Sequence, residues 1–125
     1  GRQRLDSTHV VGNMKIVDGS GSMTLSDIKG NLKIKDGSGS SVIENIVGNV
    51  ILDDGSGSIK IIKVKGDVEV EDGSGPLKII DIDGSVTVDD GSGSVTINTV
   101  TQNVTIIEEG SGSCSIKNVK GKVKK

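Results

Sequence analysis

The chain has 125 residues, a mass of 12.8 kDa and a formal net charge of −2 at pH 7. This length predicts one domain over residues 1–125, and the even mixture of acids and bases argues against nucleic acid as a partner. The chain has no Phe, Tyr or Trp, so it offers no ring on which a base or sugar can stack. No apolar run reaches the length of a transmembrane helix, and the N-terminal residues lack the apolar segment of a signal peptide.

One unit of sequence recurs along the whole chain, which is typical of solenoids. Its marker is the pentapeptide Asp-Gly-Ser-Gly-Ser, with a Pro variant and a Glu variant. The copies begin at Asp18, Asp36, Asp54, Asp72, Asp90 and Glu109. Their spacing is 18 residues, except for 19 residues between the last two. We number each repeat from this acidic residue as position zero.

The first predicted strand of each repeat carries apolar residues at positions five, seven and ten, with mostly polar residues between them. Position five is apolar except at Ser41. Position seven holds Leu25, Ile43, Ile61, Ile79, Ile97 and Ile116. Position ten holds Val10, Ile28, Ile46, Val64, Ile82, Val100 and Val119. The alternation at five and seven is the period of a half-buried strand.

A glycine corner at position twelve precedes the second predicted strand, and Gln102 is the exception to this glycine. Apolar residues follow at positions fourteen and sixteen. Position fourteen holds Met14, Leu32, Val50, Val68, Val86, Val104 and Val123. Position sixteen holds Ile16, Ile34, Leu52, Val70, Val88 and Ile106. The strand then ends at the acidic pentapeptide, which forms the second corner.

Because the repeat recurs without reversing, equivalent strands should lie parallel and stack at about 4.8 Å per repeat. The sequence therefore predicts an all-β fold, a parallel β-solenoid of about seven 18-residue coils and roughly 33 Å. The two similar halves of each repeat favour a flattened coil with two sheets, and a three-sided coil is the alternative. The additional residue near Ile107 should form a bulge on the outside of one coil.

The pentapeptide itself has two interpretations. As a corner, it needs glycine at positions one and three, where the backbone enters positive φ and stacked coils leave no room for a Cβ atom. The Asp side chain can accept hydrogen bonds from nearby amides, and the Ser hydroxyls can bridge coils. Pro76 shows that position four needs no backbone donor. This corner chemistry is sufficient to explain the repeat.

As a ligand loop, the pentapeptide would place like charges about 4.8 Å apart, and a Ca²⁺ ion between coils would relieve their repulsion. The candidate ligands are Asp53, Asp54, Glu71, Asp72, Asp89 and Asp90. The pattern matches neither the calcium-binding nonapeptide repeat nor an EF-hand loop. We therefore assign no metal site and no cofactor from the sequence, and calcium is retained as the alternative.

Catalytic residues are not apparent. His9 and Cys114 are the only residues of their types, and they should lie in the first and last coils, too far apart to act together. Cys114 is expected to be a buried small apolar residue at position five, and His9 an exposed side chain. The acids should form a ridge rather than line a cleft. We expect that the protein is not an enzyme.

The motif GxVxIxDGSGSxxIxxIxG, seen best at Gly48–Gly66 and Gly66–Gly84, resembles the bacterial adhesin β-strand-repeat family, a domain family without an assigned function. The resemblance covers nearly the whole chain and implies a β-solenoid of the bacterial envelope or exterior. It implies a structural or adhesive module with an unknown surface partner. A calcium-binding or surface-binding module that uses the acidic ridge is the alternative function.

Head-to-tail self-association into filaments is a further expectation, since open solenoid ends expose strand edges. A monomer, or a fragment that other domains continue, is the alternative. Ser7 and Lys125 place polar groups at normally apolar positions and protect the ends in part. Basic residues at both ends should repel each other, and salt should screen this repulsion. They are Arg2, Arg4, Lys120, Lys122, Lys124 and Lys125.

Overall fold

The computed structural model describes residues 5–18, 21–108 and 112–124. These residues form fourteen β-strands and, within the described ranges, no helix. The strands are β1 (Leu5–Val11), β2 (Met14–Asp18), β3 (Met23–Lys29), β4 (Leu32–Asp36), β5 (Ser41–Val47), β6 (Val50–Asp54), β7 (Ile59–Lys65), β8 (Val68–Asp72), β9 (Leu77–Asp83), β10 (Val86–Asp90), β11 (Val95–Val100), β12 (Val104–Glu108), β13 (Cys114–Val119) and β14 (Val123–Lys124).

The strands form two parallel sheets of seven strands each. The odd-numbered strands stack in chain order in one sheet, and the even-numbered strands stack in the other. The pairing joins residues one repeat apart, for example Val50 with Val68. We call each odd strand and the following even strand a coil, so the first coil contains β1 and β2, and six steps lead to the seventh. The predicted all-β, two-sheet solenoid of 18-residue coils is confirmed.

The core is a column of aliphatic side chains between the two sheets. Positions five, seven, ten, fourteen and sixteen point inward in the middle coils, as predicted, and Ser41 is buried with them. Ile61 and Val68, for example, are 0% and 1% exposed. Each inward side chain is covered by the equivalent side chains of the coils above and below. A column only one coil wide can therefore exclude water without aromatic residues.

The ends of the column are less covered. Several inward residues of the first and seventh coils are only partly buried, because each of these coils has a neighbouring coil on one side, although Ile16 in the first coil is buried. The partly buried residues are Val10, Met14, Cys114, Ile116 and Val119. Cys114 packs against the core from position five, as predicted, but it is only partly buried in the seventh coil.

A sharp bend at position nine divides each odd-numbered strand. Six non-glycine residues have φ values between 54° and 62° there, in the left-handed region. They are Asp27, Asn45, Lys63, Asp81, Thr99 and Asn118. The residue at this position is also skipped in the strand pairing, which resumes at position ten. The bend explains why the inward positions run five, seven and ten rather than five, seven and nine.

The additional residue, which lies in the sixth coil, is on the outside, as predicted. The pairing of β10 with β12 shifts register between Val88 and Asp89, so that Asp89 is opposite Glu108. Ile107, the residue that is passed over, is 65% exposed. The prediction of an outward bulge is therefore confirmed, and the inward residues Val104 and Ile106 keep their places.

Glycine is required at the corners mainly because the coils stack closely. A Cβ atom on Gly66 or Gly57 would overlap the carbonyl oxygen of the glycine one coil below, Gly48 or Gly39. Both residues also have positive φ, 150° and 110°. Position one differs from the prediction, because Gly55 is not in the positive-φ region. There the close approach alone is the constraint, with a Cβ atom 2.8 Å from the Gly37 carbonyl oxygen.

A ladder of side-chain oxygens supports the position-twelve corner. At position thirteen, the Oδ1 atom of one coil accepts a hydrogen bond from the backbone N–H of the same position in the next coil. Asn49 accepts from Asp67 at 3.0 Å, and Asp67 accepts from Ser85 at 3.0 Å. Equivalent bonds join Asn13 to Asn31, Asn31 to Asn49 and Asn103 to Lys122. The ladder provides acceptors for amide groups at a corner where the strand pairing is interrupted.

Removing one step of this ladder should destabilise the chain modestly. Asn49→Ala removes the acceptor for the Asp67 amide, and we expect a loss of about 1 kcal/mol in the free energy of unfolding. Asn49→Asp keeps the acceptor, as Asp67 does naturally, and should cost less, especially at high salt. Urea denaturation of both variants provides the measurement. Equal losses for the two variants at high salt would contradict a role for the Oδ1 acceptor.

Candidate functional site

The acidic residues predicted as metal ligands lie at the C-terminal ends of the even-numbered strands. The strand pairing places Asp53, Glu71 and Asp89 at equivalent positions in three successive coils. The backbones of Asp54, Asp72 and Asp90 are aligned in the same way at the strand ends. The fold therefore brings all six candidate positions into two adjacent rows, as the repeat predicts.

The geometry of the carboxylates is described for only one of these rows. Asp53 and Glu71 are exposed, and Asp89 is partly exposed. The side chains of Asp54, Asp72 and Asp90 lie outside the described part of the chain, as does the whole of Glu109. Among the described residues, no group of three or more His, Cys, Asp or Glu side chains is placed to hold a metal ion. The calcium hypothesis therefore stays a prediction about the undescribed row.

Calcium addition tests that hypothesis directly. If the acidic rows serve only as corners, millimolar calcium should change the melting temperature little, because an ion bound to the native state alone must stabilise it. We expect a small shift, equal to that in sodium chloride of matched ionic strength. A saturable increase of many degrees that disappears in the Asp54→Asn/Asp72→Asn variant would instead establish a calcium site.

His9 and Cys114 lie at opposite ends of the same sheet. His9 belongs to β1 and Cys114 to β13, the first and last of the seven strands. The His9 side chain is outside the described part of the chain. Five strands of the sheet separate the two residues, so they cannot act as a nucleophile and base in one site.

A concave surface that the sequence did not reveal runs along the bend at position nine. Residues at positions nine, ten and eleven of the first five coils line an open cavity of about 710 Å³, which we call the trough. The bend creates it, because side chains at positions nine and eleven both project outward while position ten points to the core. Two exposed apolar residues, Val11 and Val47, lie along it.

Charged residues of the fourth and fifth coils are grouped by coil in the trough, whereas the second coil contributes one of each sign, Asp27 and Lys29. The fourth coil contributes Lys63 and Lys65, and the fifth contributes Asp81 and Asp83. All four side chains are exposed. Asp83 Oδ1 also accepts a hydrogen bond from the Thr101 hydroxyl of the sixth coil at 3.0 Å. A pair of positive charges therefore lies next to a pair of negative charges, one coil apart.

Comparison with models of known protein families, with curated proteins and with solved structures finds no match for this chain. None of the described residues belongs to a helix that is long and apolar enough to cross a membrane. The function of the chain must therefore be argued from its own surfaces.

Proposed function

We propose that the chain is a non-enzymatic structural or adhesive module that associates end to end with other solenoid coils. The observation that carries this proposal is the partial burial of the core at both ends of the column. Val10 and Met14 in the first coil, and Ile116 and Val119 in the seventh, pack against the core but remain partly accessible. Covering such residues with a further coil is favourable, because it removes apolar surface from water.

The backbone at the ends supports the same proposal. In the described chain, β1 pairs only with β3, and β14 pairs only with β12. Each therefore has a free edge whose N–H and C=O groups can continue the parallel sheet. Val123, at the inward position fourteen of the last strand, is 45% exposed. The coils that cover these edges can belong to a second copy or to the same protein.

The proposed setting is the bacterial envelope or exterior, on the basis of the repeat motif at Gly48–Gly66 and Gly66–Gly84. A rod with regular outward rows suits a spacer or an adhesive surface, because the rows repeat at every coil. The outward positions mix charged, polar and apolar side chains, for example Lys60, Ile51 and Thr87. We therefore assign no particular target surface.

Light scattering across a series of chain and salt concentrations tests the end-to-end association. We expect the mean mass to rise with both, since salt screens the basic residues of the two ends. Val123→Asp should abolish the rise, because it places a charge where the next coil must pack. Ile51→Asp is the matched control, since Ile51 is 43% exposed but lies on the outer face of the third coil. A mean mass that stays at one chain throughout would refute the proposal.

A further inference from the structure

We propose that the trough is an interface with a second copy of the chain, which lies across it with its solenoid axis antiparallel. This lateral contact is separate from association through the ends, because it uses positions nine and eleven of the middle coils. The arrangement of charges along the trough determines both the partner and its orientation.

The central observation is a reversal of charge between adjacent coils. At position nine, the fourth coil has Lys63 and the fifth has Asp81, and at position eleven they have Lys65 and Asp83. The strand pairing holds Lys65 directly beside Asp83. The two positions therefore carry the same sign in the fourth coil and the opposite sign in the fifth. A surface of this kind is complementary to itself after a half-turn.

The symmetry operation is a two-fold axis that runs along the strand direction and passes between the fourth and fifth coils. It places the fourth coil of each copy opposite the fifth coil of the other, and it keeps position nine opposite position nine. Lys63 then faces Asp81 of the second copy, and Lys65 faces Asp83 of the second copy. Each contact occurs twice, so four opposite-charge pairs form at the centre of the interface.

Side-chain lengths fit the same arrangement. At each of the four points a long lysine faces a short aspartate, so all four pairs require the same separation between the two surfaces. The lysine stems can lie over the apolar parts of the trough while their ammonium groups reach the carboxylates. Asn45 and Val47 of the third coil face Thr99 and Thr101 in the sixth coil of the second copy. These threonines are small enough to leave room for water.

Other orientations are unfavourable. If the axis passes through the fourth coil, Lys63 and Lys65 each face their own equivalents. A two-fold axis along the solenoid places Lys63 opposite Lys65 of the second copy, and both are positive. Charge repulsion therefore favours the arrangement in which the two-fold axis passes between the fourth and fifth coils.

One pair of contacts opposes the association and sets its strength. The same two-fold axis places Lys29 of the second coil opposite Lys120 of the seventh, and both are positive. These residues are exposed and lie at the rim, where water screens them. The contact area is a narrow strip, so we expect weak association that is favoured by low salt, the opposite of the dependence proposed for the ends. Lys120→Glu should strengthen it.

Sedimentation equilibrium of complementary variants tests the proposal. All chains carry Val123→Asp, so that association through the ends does not contribute. At low salt and high concentration this background should form dimers, and both Lys63→Asp/Lys65→Asp and Asp81→Lys/Asp83→Lys should be monomeric. A mixture of the two variants should form a one-to-one complex, because acids then face bases at all four points. A dimerisation constant at least tenfold higher for Lys120→Glu is also expected.

Lys60→Asp/Lys78→Asp is the matched control. It makes the same change in net charge as Lys63→Asp/Lys65→Asp, but at position six of the fourth and fifth coils, which is outside the trough. Measured by itself, it should dimerise as the background chain does, because it keeps all four charges of the trough, and this result excludes an effect of net charge alone. Circular dichroism checks that every variant remains folded. If Lys63→Asp/Lys65→Asp does not fold, Lys63→Gln/Lys65→Gln is used in its place. A monomeric background chain, or a Lys60→Asp/Lys78→Asp variant that loses dimerisation as Lys63→Asp/Lys65→Asp does, would overturn the proposal.

Discussion

Ile61→Asp should lower the free energy of unfolding by more than about 4 kcal/mol, enough to unfold many small domains. Ile61 is 0% exposed and lies in the fourth of seven coils, so its side chain cannot reach water from either end. An aspartate there loses the apolar contacts of isoleucine and also buries a carboxylate without a partner. Val68→Asp, at 1% exposure in the opposite sheet of the same coil, should behave in the same way.

Lys60→Asp is the control for this prediction. Lys60 is the adjacent residue in β7 and points outward, so the same new side chain stands in water. We expect a change within about 0.5 kcal/mol. Thermal denaturation of the three variants, followed by circular dichroism, measures the difference. If Lys60→Asp is as damaging as the other two, the inward and outward faces of β7 have been assigned incorrectly.

Gly66→Ala is expected to be strongly destabilising, although it adds only one methyl group at the position-twelve corner. Its Cβ atom would overlap the Gly48 carbonyl oxygen, and the φ of 150° is one that alanine rarely adopts. Relief requires the two coils to separate locally, which disturbs the pairing of both sheets. We expect a loss of at least about 3 kcal/mol in the free energy of unfolding.

Gly12→Ala separates the two causes of this loss. Gly12 has a φ of 116°, but no described atom lies within 4 Å of the place that a Cβ atom would take, because Gly12 belongs to the first described coil. It should therefore show the backbone strain alone, about 1–3 kcal/mol. Chemical denaturation of both variants gives the comparison. A Gly12→Ala loss as large as that of Gly66→Ala would show that stacking contributes little to the requirement for glycine.

The repeat predicted the fold well because each of its 18 residues has the same environment in every coil. Seven nearly equivalent copies show which positions exclude polar residues. Positions ten and fourteen are apolar in every copy, and positions seven and sixteen are polar only in an end coil, at Ser7 and Lys125. The buried Ser41 was assigned inward only because the other residues at position five are apolar. Repetition also predicted the bulge, since one additional residue cannot enter a column that is already filled.

Two features were not predicted, for different reasons. The left-handed bend at position nine has no single residue type, since Lys63 and Thr99 occupy it as well as Asp and Asn. The sequence signal for the bend was the step of three residues between the apolar positions seven and ten. This step leaves one residue outside the alternation of apolar and polar residues. The ladder at position thirteen was visible as asparagine at Asn13, Asn31 and Asn49. Its role depends on contacts between coils, which a single repeat does not show.

The candidate sites were less predictable than the fold. Stacked coils place any repeated residue in a row, so the acidic rows follow from the repeat whether or not they bind an ion. The contact proposed for the trough, by contrast, depends on the change from positive charge at Lys63 to negative charge at Asp81, which is a departure from the repeat. Variation at an outward position therefore provides information that the repeated residues cannot.

The hydrogen bonds of both sheets join successive coils and so run along the solenoid axis. A pulling force applied at the two ends of the chain therefore loads these bonds in series, and the outermost coil should detach before its neighbours are disturbed. Each detached coil of 18 residues releases up to about 60 Å of extended chain. The solenoid should thus yield by lengthening in many similar steps at low force, and it should regain its length coil by coil when the force is removed.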